Sequence, residues 1–472
     1  LINSMNGAYL LHQIENHVRL FFTDAALSLI KAADIRFVRY ADAIDIKECC
    51  LIIPIDIDSG IAPQNIYKVP FNDTVLTLWS PLPQPDRPGW RAIPNDNHPL
   101  WYVNDCQTII PATNIFKIGW DLLTFREDNE GPRRDKHGRF NSPFSPRLDP
   151  GLLEIPVFNE AVALMLAACK CLSGAATPDD NIGGLIAAPV VNLSHDCDVL
   201  YGNDFWTQAA RFARIFMPSS HGLLSRLSNI RWMAGNTLHP GRYYFNNVIG
   251  MINLEKQYGF KSTLYMLNGS GGRYGSRNGL DAILKIMAFI PDGWETGLHY
   301  NYNTYGDSNK LKAQASELQA ALRRLITAGR AHYLLFDHTT SFDRWREAGI
   351  NIDESVGYSK HIGYRCGLAG CFQPYNNKAG KAYDIFEAPL AIMDTTLVDQ
   401  YGDDSISHFE SMLKHLSRIG GAMNIVFHPG TFFNPEMPRM LGIYHKILMT
   451  CRDLKSRCLT ADDMLKILTK RG

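Results

Sequence analysis

From residue 189 onward, short apolar runs alternate with amphipathic stretches, and this alternation constrains the fold more than any other feature of the sequence. Strands are expected at 189–193, 261–267, 293–298, 332–336, 387–393 and 423–427, with helices between them at 205–216, 243–257, 280–289 and 310–328. A strand followed by a helix and another strand of the same direction builds a parallel sheet, because the crossover returns the chain to its starting end. Repeated this many times, the pattern predicts an α/β architecture, a closed or nearly closed barrel of strands covered by helices. In such folds chemistry gathers at the C-terminal ends of the strands.

Three of those strand ends carry unusual polar groups. Leu193-Ser-His-Asp-Cys-Asp198 holds two carboxylates two residues apart, and on an extended segment both point to one side. Two close carboxylates need a cation or a shared proton, so a metal with one Asp left as a base satisfies them. A pair of turn-capping aspartates would look the same. Glu295-Thr-Gly-Leu-His-Tyr-Asn-Tyr-Asn303 sets His299 and Asn303 four apart, neighbours on a helical turn and able to share a metal, although a histidine satisfied by packing is the plainer reading. Asn424-Ile-Val-Phe-His-Pro-Gly430 ends an apolar strand on His428, whose imidazole titrates near neutrality and suits a general acid or base.

In this order the segments resemble the polysaccharide deacetylases of carbohydrate esterase family four, the NodB-homology fold, over roughly residues 189–468. The resemblance implies a NodB-like distorted (β/α) barrel with Asp196 as base, Asp198 and His299 as metal ligands, and Asn303 where the family has a second histidine. An amide oxygen is a weaker donor than imidazole, so water or another side chain, such as His332 or His338, is needed to complete the shell. By the same resemblance Arg365, in Gly363-Tyr-Arg-Cys-Gly367, pairs with the base, with Asp353 just upstream; Asp394 orients a histidine and His428 protonates the leaving group. The implied reaction is metal-dependent hydrolysis of an N-acetyl (less often O-acetyl) group on a sugar, with a divalent ion, zinc, as cofactor and a carbohydrate as partner. Tyr302 and Tyr364, near the motifs with Tyr300, Tyr305 and Tyr375, offer aromatic faces to a sugar, or simply pack.

The amino-terminal 150 residues read as a smaller mixed α/β domain, with strands at 50–56 and 75–79 and a polar surface loop at 127–146. Residues 151–188 form a linking helix (156–172) and connector, and 189–472 the barrel. Trp120-Asp-Leu-Leu-Thr-Phe-Arg-Glu-Asp128 and Asp135-Lys-His-Gly-Arg-Phe140 resemble the accessory domain that precedes such barrels in bacterial surface-polysaccharide proteins, with Asp135 and Arg139 expected as a salt-bridged loop.

Lys plus Arg and Asp plus Glu number 47 each, so the chain as a whole has no attraction for nucleic acid. The most apolar helix candidate, 161–168, is too short to span a membrane. Ten cysteines in 472 residues are too sparse for a disulfide scaffold and, with no basic start and long apolar stretch at 1–18, point to a cytoplasmic enzyme; a homo-oligomer is left open. Three rival readings compete: a carbohydrate-binding protein on the same barrel that has lost its metal through Asn303, an amide hydrolase of the same fold acting on a non-sugar, and a dinucleotide-binding turn at Gly269-Ser-Gly271. The last lacks its third glycine, since Tyr274 stands in that place.

Overall fold

The computed structural model describes residues 6–57, 60, 62–94, 98–130, 134–174, 181–216, 222–432 and 439–470. Eight parallel strands run in the order Phe386–Glu387, Ile352–Asp353, Ala328–Ala331, Glu295–Tyr300, Ser262–Met266, Val190–Cys197, Ala422–Val426 and Ile392–Met393. A short ninth strand, Arg457–Cys458, pairs with the start of Val190–Cys197. The two end strands belong to one stretch of chain. Between them the Ala388 N–H donates to Asp353 O (2.8 Å), Leu390 N–H to Val356 O (2.9 Å) and Ala391 N–H to Asn424 O (3.0 Å). This stretch therefore leaves one edge and joins the other, curling the sheet into a barrel. The single strand expected at 387–393 is split because Pro389 has no N–H to continue the ladder.

Strand Val190–Cys197 is buried throughout. Its alternation sends Asn192, Ser194 and Asp196 into the barrel, where the first donates to Glu354 and the other two meet Arg330. His195, on the opposite face, binds Glu255 Oε1 (2.6 Å) and Phe427 O (2.9 Å) outside it. Two tyrosines lie across neighbouring strands at glycines. A Cβ on Gly297 would stand 2.4 Å from the Tyr265 ring, and one on Gly329 1.9 Å from the Tyr300 hydroxyl, which donates to Asp353. Gly329→Ala is expected to destabilise the protein by about 1–3 kcal/mol through overpacking. Gly250→Ala, on an exposed helix face with open space around it, should instead stabilise by about 0.5–1 kcal/mol. Denaturation midpoints moving in opposite directions check the pair.

The helix expected to reach 328 stops at Leu322, where Arg323 takes the left-handed conformation (φ 53°) and ends it. The following strand consequently occupies Ala328–Ala331 rather than 332–336, and His332 opens a tight turn in which Tyr333 and Leu334 also have positive φ. Ala-Gly-Arg-Ala carries almost no apolar signal, so the strand is set by its neighbours and by the ion pairs of Arg330.

In the amino-terminal part a five-stranded mixed sheet runs Ile35–Val38, Leu51–Pro54, Ile109–Pro111, Trp101–Val103, Arg91–Ile93, beside the hairpin Tyr67–Phe71/Thr74–Leu78. Helix Val157–Leu172 is buried over most of its length, and one apolar core includes Ile14, Leu51 and Phe116 together with Val162, Leu264 and Met423. The stretch 127–146 is a surface loop only in part: Lys136 and Gly138 are exposed in a turn, but Glu127 and Asp128 are buried, and the chain forms the helix Arg126–Glu130 and the 3-10 turn Ser142–Phe144. Paired charge explains the burial. Arg147 Nε donates to Glu127 Oε1 (2.7 Å) and Arg365 Nη2 to Asp128 Oδ2 (2.7 Å), tying the acidic end of the 120–128 segment to the barrel. Residues 131–133 of that stretch, 1–5 at the start and 175–180 of the connector lie outside the described residues. No disulfide joins the cysteines among the described residues, and no helix among those residues is long and apolar enough to cross a membrane.

Candidate active site

Asp196 is the penultimate residue of strand Val190–Cys197 and Asp198 follows its end, so the two carboxylates leave one strand for different partners. Asp198 Oδ1 lies 3.1 Å from His299 Nε2, on the adjoining part of the barrel rim, and 3.7 Å from His332 Nε2, one strand further on. The three donor atoms sit within 4.8 Å of one another, the geometry of a cation site. His299 Nδ1–H donates to the Arg330 carbonyl (2.9 Å) and His332 Nδ1–H to the Tyr274 carbonyl (3.2 Å), so Nε2 is the atom each ring turns to Asp198. Burial would lower the His299 pKa, but Asp196 and Asp198 outweigh it and raise it. Asp198 Oδ1 is itself buried with no hydrogen bond from the described residues. Burial alone would raise the Asp198 pKa, but the facing His332 and His299 rings hold it well below the usual carboxylate range.

Asp196 is turned the other way, into the barrel mouth. Its Oδ1 accepts from Arg330 Nη1 (2.8 Å), while Oδ2 lies 3.6 Å from His299 Nε2 and 3.8 Å from His428 Nε2. Arg330 is almost wholly buried and also donates to Ser194 Oγ (2.8 Å) and Glu354 Oε2 (2.6 Å), with its guanidinium 4.5 Å above the Tyr265 ring. Burial would push Asp196 up; Arg330, then His299 and His428, outweigh it and keep its pKa low. Asp196 thus favours its ionised form.

His428 follows strand Ala422–Val426. Its Nδ1 donates to Asp394 Oδ1 (3.0 Å) and its backbone N–H to Asp394 Oδ2 (2.8 Å), and Thr431 Oγ1 donates to the same carboxylate (3.0 Å). Burial works against the imidazolium, but Asp394, Asp196 and Asp198 together raise the His428 pKa to about 10. Nε2 is then a proton donor beside Asp196. The side chains of His428 and Asp198 are 25% and 31% exposed, whereas His299 is buried, so the site opens to solvent on this side.

Asp196, Asp198, His299, His428 and Asp394 are therefore brought together, and three other expected residues are not. Arg365 lies against Asp128, between the Phe140 and Phe336 rings, and Arg330 takes the place beside Asp196 that was expected for it. Asn303 donates to Ser270 Oγ instead of facing Asp198; His332 supplies the third donor. Tyr364 is buried with its hydroxyl on Met423 Sδ, so it presents no face to a ligand. His338, the other candidate for the shell, binds Asn129 and lies 3.7 Å from Asp128. Asp353 accepts from Tyr300 inside the barrel.

Tyr302 does stand near the His332 side of the site. It packs with Tyr274 and Tyr333, and the Tyr333 ring is 4.6 Å from that of His332. The amino-terminal part completes this wall: His137 shares a hydrogen bond with the Tyr302 hydroxyl (3.1 Å), and Arg139 donates to Tyr333 O (2.8 Å) while pairing with Asp135 (2.7 Å). Arg330 was missed, and His332 was expected only as one of two side chains that could complete the shell; the spacing Arg330-Ala-His332 repeats the two-residue alternation of Asp196-Cys-Asp198 and is a signal for both.

No family model matches the sequence, and no curated protein matches it either. Solved structures do. A protein described as a polysaccharide deacetylase from Mycobacterium smegmatis aligns at 15% identity over 60% of this chain and 92% of its own, with a TM-score of 0.39. The chitin deacetylase of Colletotrichum lindemuthianum aligns at 12% identity over 59% and 87% (TM-score 0.29). A Bordetella bronchiseptica protein described as a polysaccharide deacetylase involved in O-antigen biosynthesis aligns at 17% identity over 47% and 84% (TM-score 0.29).

Proposed function

We propose that this chain is a metal-dependent hydrolase that removes an N-acetyl, less often an O-acetyl, group from a sugar of a polysaccharide or its precursor. One observation carries the reading: two carboxylates leave one strand end, Asp198 toward two imidazoles prepared as metal ligands, Asp196 into the space between a buried arginine and an imidazolium. One carboxylate and two imidazoles, once a metal has displaced any Nε2 proton, are the donor set of a zinc site with an open position. Asp198, His299 and His332 would hold the ion, and the buried, unbonded Asp198 Oδ1 fits that role. When bound, the ion supplies a Lewis acid that polarises an acyl oxygen and acidifies water.

The chain's own groups do the rest. Asp196 receives the proton of the attacking water on Oδ2, because Oδ1 is engaged by Arg330, and Arg330 keeps it ionised until then. His428, its ring fixed through Nδ1 by Asp394, delivers the Nε2 proton to the departing amine. The Tyr274, Tyr302 and Tyr333 faces beside His332 favour a sugar ring over a linear amide. With His332 as third donor, Asn303 no longer argues for a metal-free binding protein.

Metal analysis tests this directly. The purified protein should hold about one equivalent of zinc or a similar ion, lost in Asp198→Ala and His332→Ala but kept in Asn303→Ala, and only the metal-retaining forms should release acetate from N-acetylated oligosaccharides. A wild type that neither holds nor takes up zinc, cobalt or nickel would sink the proposal.

A further inference from the structure

Between Asp198 and the next barrel helix, the chain inserts two helices, Phe205–Phe216 and Gly222–Leu238, that are packed with their polar sides inward. Between them and toward the body lie Thr207, Arg211, Asn229, Trp232 and Asn236; Arg211 donates to Asn229 (3.1 Å) and covers the Trp232 ring at 3.6 Å. The apolar stripes face out. Phe205, Phe212 and Phe216 fall on one side of the first helix, and Leu223, Leu227, Ile230 and Leu238 on one side of the second, each 48–74% exposed. Of the sixteen large hydrophobic side chains exposed among the described residues, eight lie in these two helices, so exposed apolar surface is concentrated here rather than scattered.

Charge tells what covers it. Residues 205–254 contain five arginines and no Asp, Glu or Lys, in a chain whose totals balance at 47 each. At 3.6 residues per turn, Arg226 and Arg231 fall on either side of the leucine stripe, and both are exposed. Beside the pair a cavity of about 650 Å³ is lined by Arg242, Lys285, Tyr201 and Phe245, a cationic and aromatic recess. An apolar stripe flanked by arginines matches the boundary between acyl chains and anionic headgroups. A second copy of the chain would bring like charges together across the same face.

We propose that the helices Phe205–Phe216 and Gly222–Leu238 dock on an anionic phospholipid bilayer, lying in its surface, independently of the reaction assigned above. The chain on either side of the pair is tied to the active-site rim. Asn278 donates to Cys197 O at its entry, and Asn247, just beyond its exit, donates to Pro429 O and Phe432 O beside His428. Docking would hold that rim at the membrane surface.

The test is co-sedimentation of the full chain with vesicles of phosphatidylcholine alone or mixed with phosphatidylglycerol. Wild type should pellet with the mixed vesicles only, and less as salt rises. Phe212→Ser/Leu227→Ser/Ile230→Ser and, separately, Arg226→Glu/Arg231→Glu should each weaken binding by about tenfold or more with unchanged melting temperature. Wild type left in the supernatant, or variants that pellet like wild type, would overturn the proposal. So would a wild-type dimer in analytical ultracentrifugation that the serine variant converts to monomer, since the face would then belong to a second copy.

Discussion

Asp196→Asn is expected to lower the rate of acetate release by about 10²–10⁴-fold while leaving the metal content unchanged. The amide fills the space of the carboxylate and can still face Arg330, which keeps Glu354 as a partner, so the barrel loses little. What disappears is the only acceptor for a proton at the position of Oδ2, between His299 and His428. The proposed metal donors are Asp198, His299 and His332, and Asp196 is not among them. Activity and metal should therefore part company in this variant, whereas they fall together in His332→Ala. Acetate assayed beside metal content reads the difference, and a fully active Asp196→Asn protein would remove the base from the proposed reaction.

The sequence made the barrel legible because its strands are apolar runs and its helices amphipathic, and it made Asp196, Asp198, His299 and His428 legible because each stands at the end of such a run. Arg330 was hidden by the same logic, and His332 was legible only as one of two side chains that could complete the shell. Their strand, Ala328–Ala331, holds two alanines, a glycine and a charge; its glycine exists to admit the Tyr300 hydroxyl and its charge to meet Asp196 and Glu354 from other strands. Those needs arise only after the chain has closed on itself. The left-handed stop at Arg323 is equally unmarked, since glycine or asparagine is the residue that announces one. Arg365 was misplaced for the converse reason: its partner, Asp128, comes from 237 residues away, and no spacing connects them. The inverted polarity of the 205–238 pair also escaped reading, because an amphipathic pattern fixes that a helix has two faces and not which one turns inward.

Arg330→Met is expected to be the most damaging substitution in the barrel interior, costing about 3–5 kcal/mol of stability together with activity. The methionine fills much of the volume but leaves two carboxylates, Asp196 and Glu354, with one cation fewer in a place from which water is excluded. Lysine should not rescue, because a single ammonium cannot present the separate donors that reach Asp196, Ser194 and Glu354. Burial already holds the Glu354 pKa above its usual value, opposed chiefly by Arg330, so removing the arginine raises it further. The sign of the pH effect follows. A carboxyl that keeps its proton in the folded state but ionises when unfolded contributes its full stability below the unfolded pKa, about 4.3, and loses it as pH rises through the folded value. Denaturant midpoints of Arg330→Met should accordingly fall, relative to wild type, between mildly acid and neutral pH. Adding Glu354→Gln removes the titrating group and should flatten that slope and recover part of the stability. It should recover none of the catalysis, because Asp196 would still lack the cation that keeps it an anion. A double variant that regains activity along with stability would show that Arg330 only supports the barrel and plays no part in poising the base.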